Sequence, residues 1–212
     1  MKTPKVLLEL VEDLKLANFT ANASVAGEGR HGSLKDEEMI INWLLAHKKW
    51  GNKVQETQAR RFGDIIVDGI YYINIKTDEF SKNPRPSSGT NSFSTCGFAY
   101  ALSDASVEDI GGRMNYTKLT NLINVTTEDN ERDYWYLAFN KLNMNQVFIR
   151  GAKQINHYAS NPKNMLQVNF GWEYVNKPVE RTYDEAKEFI IDKIKECIKK
   201  RLKDDMYLLN NL

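Results

Sequence analysis

One stretch constrains this chain more than any other. Residues 62–77, FGDIIVDGIYYINIKT, form two arms rich in Ile, Val and Tyr around Asp68-Gly69. Asp-Gly accepts the positive φ angles of a tight turn, so the stretch predicts a β-hairpin. Side chains alternate along a strand, so Tyr72, Asn74 and Lys76 share one face of the second arm. Tyr71, Ile73 and Ile75 share the other. An Asn and a Lys inside such an apolar strand are costly unless they are partnered. Asp64 opens the first arm, and the turn decides whether it joins them. A two-residue loop at Asp68-Gly69 pairs residue 64 with 73 and sends Asp64 to the opposite face. A three-residue loop, Val67-Asp68-Gly69 with Gly69 as a left-handed bulge residue, pairs 64 with 72. Asp64 then stands on the face of Asn74 and Lys76. Asp-Gly is compatible with both loops.

Helices and further strands surround the hairpin. Leu7, Leu10, Val11 and Leu14 recur at helical spacing, which predicts an amphipathic helix over about 4–18. A Gly-containing linker, 26–33, precedes LKDEEMIINWLLAHKKW. Ser33 is the expected N-cap, with acidic residues in the first turn, basic ones in the last and Gly51 as the stop. Residues 78–92 read as a long polar loop. Residues 93–104 read as a small-residue helix, and YTKLTNLINV is ambiguous. Strands are expected at 133–141, 145–152 and 164–172. The chain closes in an amphipathic helix whose apolar stripe is Phe189, Ile190, Ile194 and Ile198. That stripe suits docking on the sheet or a dimer interface. The 212 residues show no repeat and no second composition regime, so a single α/β domain over 1–212 is expected.

Composition narrows the function classes. Lys+Arg total 29 against 28 Asp+Glu, a net charge of +1. That excludes a polybasic coat protein and an acidic solvating tail, and it makes local clusters the place to look. Cys96 and Cys197 have no metal-ligand spacing and read as free thiols in a reducing compartment. The opening MKTPKVLLELVEDLK is broken by Glu9, Glu12 and Asp13, so it lacks a signal-peptide core. No stretch approaches a membrane span, and a cytoplasmic location is expected.

Gly63-Asp64, followed ten residues on by Asn74-Ile75-Lys76, resembles the PD-(D/E)xK core of type II restriction endonucleases. The preceding acidic helix, the polar loop, the small-residue helix and NPKNMLQVNF (161–170) are also similar to that family. The resemblance implies a restriction-endonuclease-like mixed β-sheet core with a catalytic hairpin, flanked by α-helices. It implies Asp64, Asn74 and Lys76 as catalytic residues, with Mg²⁺ held by Asp64 and the backbone carbonyl of Ile75. Two positions depart from the pattern. Gly63 stands where the family has proline, and Asn74 stands at the second acid, where an amide is a poorer Mg²⁺ ligand than a carboxylate. A carboxylate from the preceding helix, Glu37 or Glu38, would compensate. Each has apolar residues three and seven positions later, so spacing does not choose between them.

The implied activity is Mg²⁺-dependent, sequence-specific cleavage of double-stranded DNA to 5′-phosphate and 3′-hydroxyl ends. A palindromic site implies a homodimer, and a restriction system implies a cognate DNA methyltransferase. A structure-specific nuclease (a junction resolvase or repair enzyme) and a catalytically silent DNA-binding protein are the alternatives. Arg60 and Arg61, with Lys48, Lys49 and Lys53 nearby, are candidate phosphate contacts. Lys82, Arg85 and Asn91 sit on the polar loop. Gln154, Gln167 and Asn169 are candidate base readers, because Gln and Asn match adenine edges. His31, His47 and His157 lack partners at metal-ligand spacing.

Overall fold

A computed structural model describes residues 2–22, 29–57, 63–80, 94–111, 114–160, 168–169 and 177–210. Five strands form one mixed sheet in the order β1-β2-β3-β4-β5: β1 (Val54–Glu56), β2 (Ile65–Val67), β3 (Tyr71–Asp78), β4 (Trp135–Asn140) and β5 (Asn143–Gly151). Neighbours are antiparallel except β3 and β4, which run parallel. A parallel pair needs a crossover, and α3 (Ser94–Leu102), α4 (Val107–Gly111) and α5 (Tyr116–Val125) lie in the intervening chain. Two short strands, β6 (Ala159–Ser160) and β7 (Val168–Asn169), pair separately. The fold is therefore mixed α/β, a five-stranded sheet flanked by helices.

Helices cover both faces. On one, α1 (Lys5–Leu16) and α2 (Gly29–Ala46) pack Leu7, Leu10, Leu14, Ile40 and Leu44 against Ile73, Ile75, Trp135 and Leu137. On the other, α3, α5 and α6 (Tyr183–Asn210) pack against Tyr134, Tyr136 and Ala138. Alternation along β4 sends Trp135 and Leu137 to one layer and Tyr136 and Ala138 to the other, so the strand is buried throughout. Ile190 and Ile194 are buried in the second layer and Phe189 and Ile198 pack beside them. The stripe packs within this layer, where the helix meets α3, β6 and residues 152–154. Both cysteines are buried free thiols. Among the described residues, no helix is long and apolar enough to cross a membrane.

The hairpin forms with a different loop from either one expected. Asp68 (φ 49°) and Gly69 (φ 73°) make a left-handed two-residue turn, closed by Ile70 N–H donating to the Val67 carbonyl at 3.2 Å. Yet the next paired residues are Val67 and Tyr71, followed by Ile66 with Tyr72 and Ile65 with Ile73. Ile70 is thus an extra residue, and 57% of it is exposed. The loop lies one residue later than the bulged loop anticipated. It keeps the same parity, because adding one unpaired residue changes which face the first arm presents.

Helix α2 also departs from expectation. It begins at Gly29, so Ser33 is an internal residue and not the N-cap. Its hydroxyl is held by tertiary bonds to β3 and the β4–β5 turn, which outweigh local capping preference. The helix also ends earlier than expected, at Ala46, so Lys48 and Lys49 follow it; neither the acidic first turn nor the basic last turn expected of it is present. A Cβ at Gly51 would lie 2.6 Å from the Leu45 carbonyl oxygen, so only glycine fits this close turn. The ambiguous segment is helix α5, capped by the Asn115 side chain, which accepts from Lys118 N–H at 2.8 Å. β1 and α4 had no clear signal, because each is five residues or shorter.

Candidate active site

The β2–β3 ladder ends at Ile65 and Ile73, and Asp64 takes over from it. Its N–H donates to the Ile73 carbonyl at 2.8 Å, and its Oδ2 accepts from Ile75 N–H at 2.6 Å. The side chain thus occupies the place of the next backbone rung. This fixes the carboxylate against the β3 edge, one residue from Lys76. Asp64 is half-buried and feels the Lys76 charge. Burial pushes its carboxyl above the ordinary range, while Lys76 and the Ile75 N–H oppose the rise.

Lys76 is buried, and its Nζ lies 3.6 Å from Oε1 of Glu37 on α2. Glu37 is the helix carboxylate that the structure selects, since Glu38 is exposed to solvent. Burial lifts the Glu37 carboxyl to about 7; Lys76 pulls it down and Asp64 adds to the rise. Two acids and one lysine therefore converge from three elements, with each acid resisting ionisation. Such perturbed groups clustered together are a mark of functional sites.

Asn74 belongs to the same strand but has a different environment. It is completely buried, and neither polar atom of its amide makes a hydrogen bond of good geometry. It neighbours the Tyr134 phenol, whose pKa burial pushes far up and the amide draws slightly down. Tyr134 fits flush against α3 because Gly97 has no side chain; a Cβ there would lie 2.5 Å from the ring. Tyr134 and its partner helix carried no sequence signal for this role.

The donor set suits a hard cation. Glu37 and Asp64 offer carboxylate oxygens, and Asp64 Oδ1 has no hydrogen bond among the described residues. Among those residues no group of three His, Cys, Asp or Glu side chains could hold a metal ion. Mg²⁺ commonly uses one or two carboxylates, with water and phosphate oxygens completing its shell, so these two acids fit it. Ile75 reaches the site through its N–H, which holds Asp64.

The candidate DNA contacts fare less evenly. Gln154 is buried in the 3₁₀ turn Ala152–Gln154; its Oε1 accepts from Gly151 N–H at 3.0 Å and its Nε2 donates to the Thr3 hydroxyl at 3.2 Å. Its expected role as a base reader is corrected: the amide closes the turn onto the N-terminal segment. Lys49 is committed to Glu9 and Asp13 at 3.3 and 2.9 Å and sits over the Trp50 ring, so it braces α1. Asn169 lies in β7, paired with Ala159. Arg60, Arg61, Lys82, Arg85, Asn91 and Gln167 lie outside the described residues.

No family model, no curated protein and no solved structure matches this chain.

Proposed function

We propose that this protein is a Mg²⁺-dependent, sequence-specific endodeoxyribonuclease of the type II restriction class, on a restriction-endonuclease-like core. The observation that carries this proposal is the convergence of Glu37, Asp64 and Lys76 at the end of the β2–β3 hairpin. The mixed sheet, with a hairpin leading into a parallel strand pair, supports this reading.

Mg²⁺, when bound, supplies Lewis acidity at the scissile phosphate and acidifies a water molecule. The chain's own residues do the rest. Asp64, pinned by the Ile75 N–H, presents its second carboxylate oxygen in a fixed direction. Glu37 supplies the carboxylate that the hairpin lacks at Asn74. The Lys76 ammonium orients the attacking water and stabilises charge on the pentavalent phosphorus. As the water oxygen bonds to phosphorus and sheds a proton to solvent, the P–O3′ bond breaks and the 3′ oxygen takes a proton from solvent and leaves as a hydroxyl. The water oxygen stays on the 5′-phosphate. Lys76 and Glu37 are already paired at 3.6 Å ahead of substrate, so the lysine is held at the site.

Cleavage of both strands of a palindrome calls for a homodimer. Cytoplasmic action beside a cognate methyltransferase completes the proposal. The test is supercoiled plasmid with Mg²⁺ and the wild-type, Asp64→Ala or Lys76→Ala protein. Nicking and linearisation by the wild type alone are expected. Equal cleavage by Asp64→Ala would sink the assignment. Cleavage of branched duplex only would favour a resolvase, and DNA binding without any nicking a silent binder.

A further inference from the structure

We propose that Lys141 is a positioning residue that sets helix α2, and with it Glu37, against Lys76. The role rests on the nuclease site proposed above, and the geometry that supports it is separate from that site. Asp36, the residue before Glu37, is completely buried. Its Oδ1 accepts from the Asn22 backbone N–H at 2.7 Å and from the Asn22 side-chain amide at 2.9 Å. Its Oδ2 makes no hydrogen bond and faces Lys141 Nζ at 3.3 Å. Lys141 Nζ also donates to the Ser33 hydroxyl at 3.0 Å, and Ser33 donates in turn to the Thr77 carbonyl at 3.5 Å. Lys141 itself is anchored, since its N–H donates to the Asp78 carbonyl at 2.9 Å.

This network joins four segments: the chain before α2, α2, the end of β3 and the β4–β5 turn. Its attachment points are Asp36 and Thr77. Each is the immediate neighbour of one member of the Glu37–Lys76 pair. A shift of α2 along β3 would therefore strain the network and the pair together. An ammonium and a buried carboxylate make a stiffer brace than an apolar contact, because the carboxylate has no other cation among the described residues. A clamp of this kind is what a site built from two separate elements needs, since small misplacement is costly to catalysis.

The test compares wild type, Lys141→Met, Lys141→Arg and Glu37→Gln. Mn²⁺ affinity of the free protein is measured by titration, with kcat and KM on plasmid DNA and circular dichroism for the fold. Lys141→Met is expected to weaken Mn²⁺ binding roughly tenfold or more, the usual effect of losing a group behind a metal ligand. It is expected to lower kcat at unchanged KM, with Lys141→Arg restoring both. A merely structural lysine would leave the metal affinity of the folded variant alone. If Lys141→Met fails to fold, Asp36→Asn/Lys141→Met removes both charges together and is expected to show the same loss. Weakened binding in Glu37→Gln with wild-type affinity in folded Lys141→Met, or in the folded double variant, overturns the positioning role alone. Wild-type Mn²⁺ affinity in Glu37→Gln overturns the site and the positioning role with it.

Discussion

Replacing Glu37 by Gln should make this protein more stable while destroying its proposed activity. The Glu37 carboxyl is raised from 4.5 to about 7, chiefly by burial. Between those values the folded chain keeps a proton that the unfolded chain has released. Stability therefore falls as pH rises through that window. The shift corresponds to about 3 kcal/mol once Glu37 is fully ionised. Only 19% of the side chain is exposed, so solvent screens little of this. Glutamine keeps the shape of the protonated acid and cannot ionise. Without metal, Glu37→Gln should match wild type near pH 4 and exceed it by about 3 kcal/mol at pH 8. For a chain of this size that is roughly 6–12 °C in Tm. The assay is thermal melting of both proteins in EDTA at pH 4, 6 and 8, repeated with Mg²⁺. Mg²⁺ should raise the wild-type Tm more than that of the variant, because only the wild type gains a second carboxylate ligand. A gap independent of pH, or a variant less stable than wild type at pH 8, would refute the reasoning.

Asp133 should shape the absolute profile. It is buried and lifted to about 7 by that burial, against the pull of Lys153. Both proteins should thus lose stability between about pH 4 and 7 even where Glu37 is absent, as melts of Glu37→Gln alone would reveal. Lys76→Ala should slow plasmid cleavage by about a hundredfold or more, read in single-turnover assays, with the duplex still bound. Gly97→Ala should destabilise the chain by about 1–3 kcal/mol in urea melts, because its Cβ would overlap the Tyr134 ring. Gln154→Ala should lose about 1–3 kcal/mol in the same assay and leave the cleavage sequence unchanged, since its amide faces inward.

Much of this arrangement is legible in the residues. The period of Leu7, Leu10, Val11 and Leu14 gives α1, and the β-branched and aromatic runs give β3, β4 and β5, because burial imposes those periods directly. The presence of Asp64 beside Lys76 depended on the parity of one turn. Asp-Gly permits several loops, and it is the packing of Tyr71, Ile73 and Ile65 that leaves Ile70 outside the ladder. The choice of Glu37 over Glu38 was illegible for a similar reason. Both have the same apolar spacing, and the contacts that hold α2 in place run from Ser33 and Asp36 to Lys141, 108 residues beyond Ser33. The same tertiary bonds explain why Ser33 lies within the helix. Gln154 misled because a glutamine in a polar turn looks accessible, and only the contact with Thr3 shows otherwise.

The most direct measurement is digestion of unmethylated phage DNA by the wild-type protein, with Mg²⁺ or with EDTA, beside Lys76→Ala. Discrete fragments that require Mg²⁺ and vanish in the variant are predicted, and their ends should carry 5′-phosphates. Intact DNA under every condition, or identical fragments from Lys76→Ala, would contradict a phosphodiesterase site built from Glu37, Asp64 and Lys76.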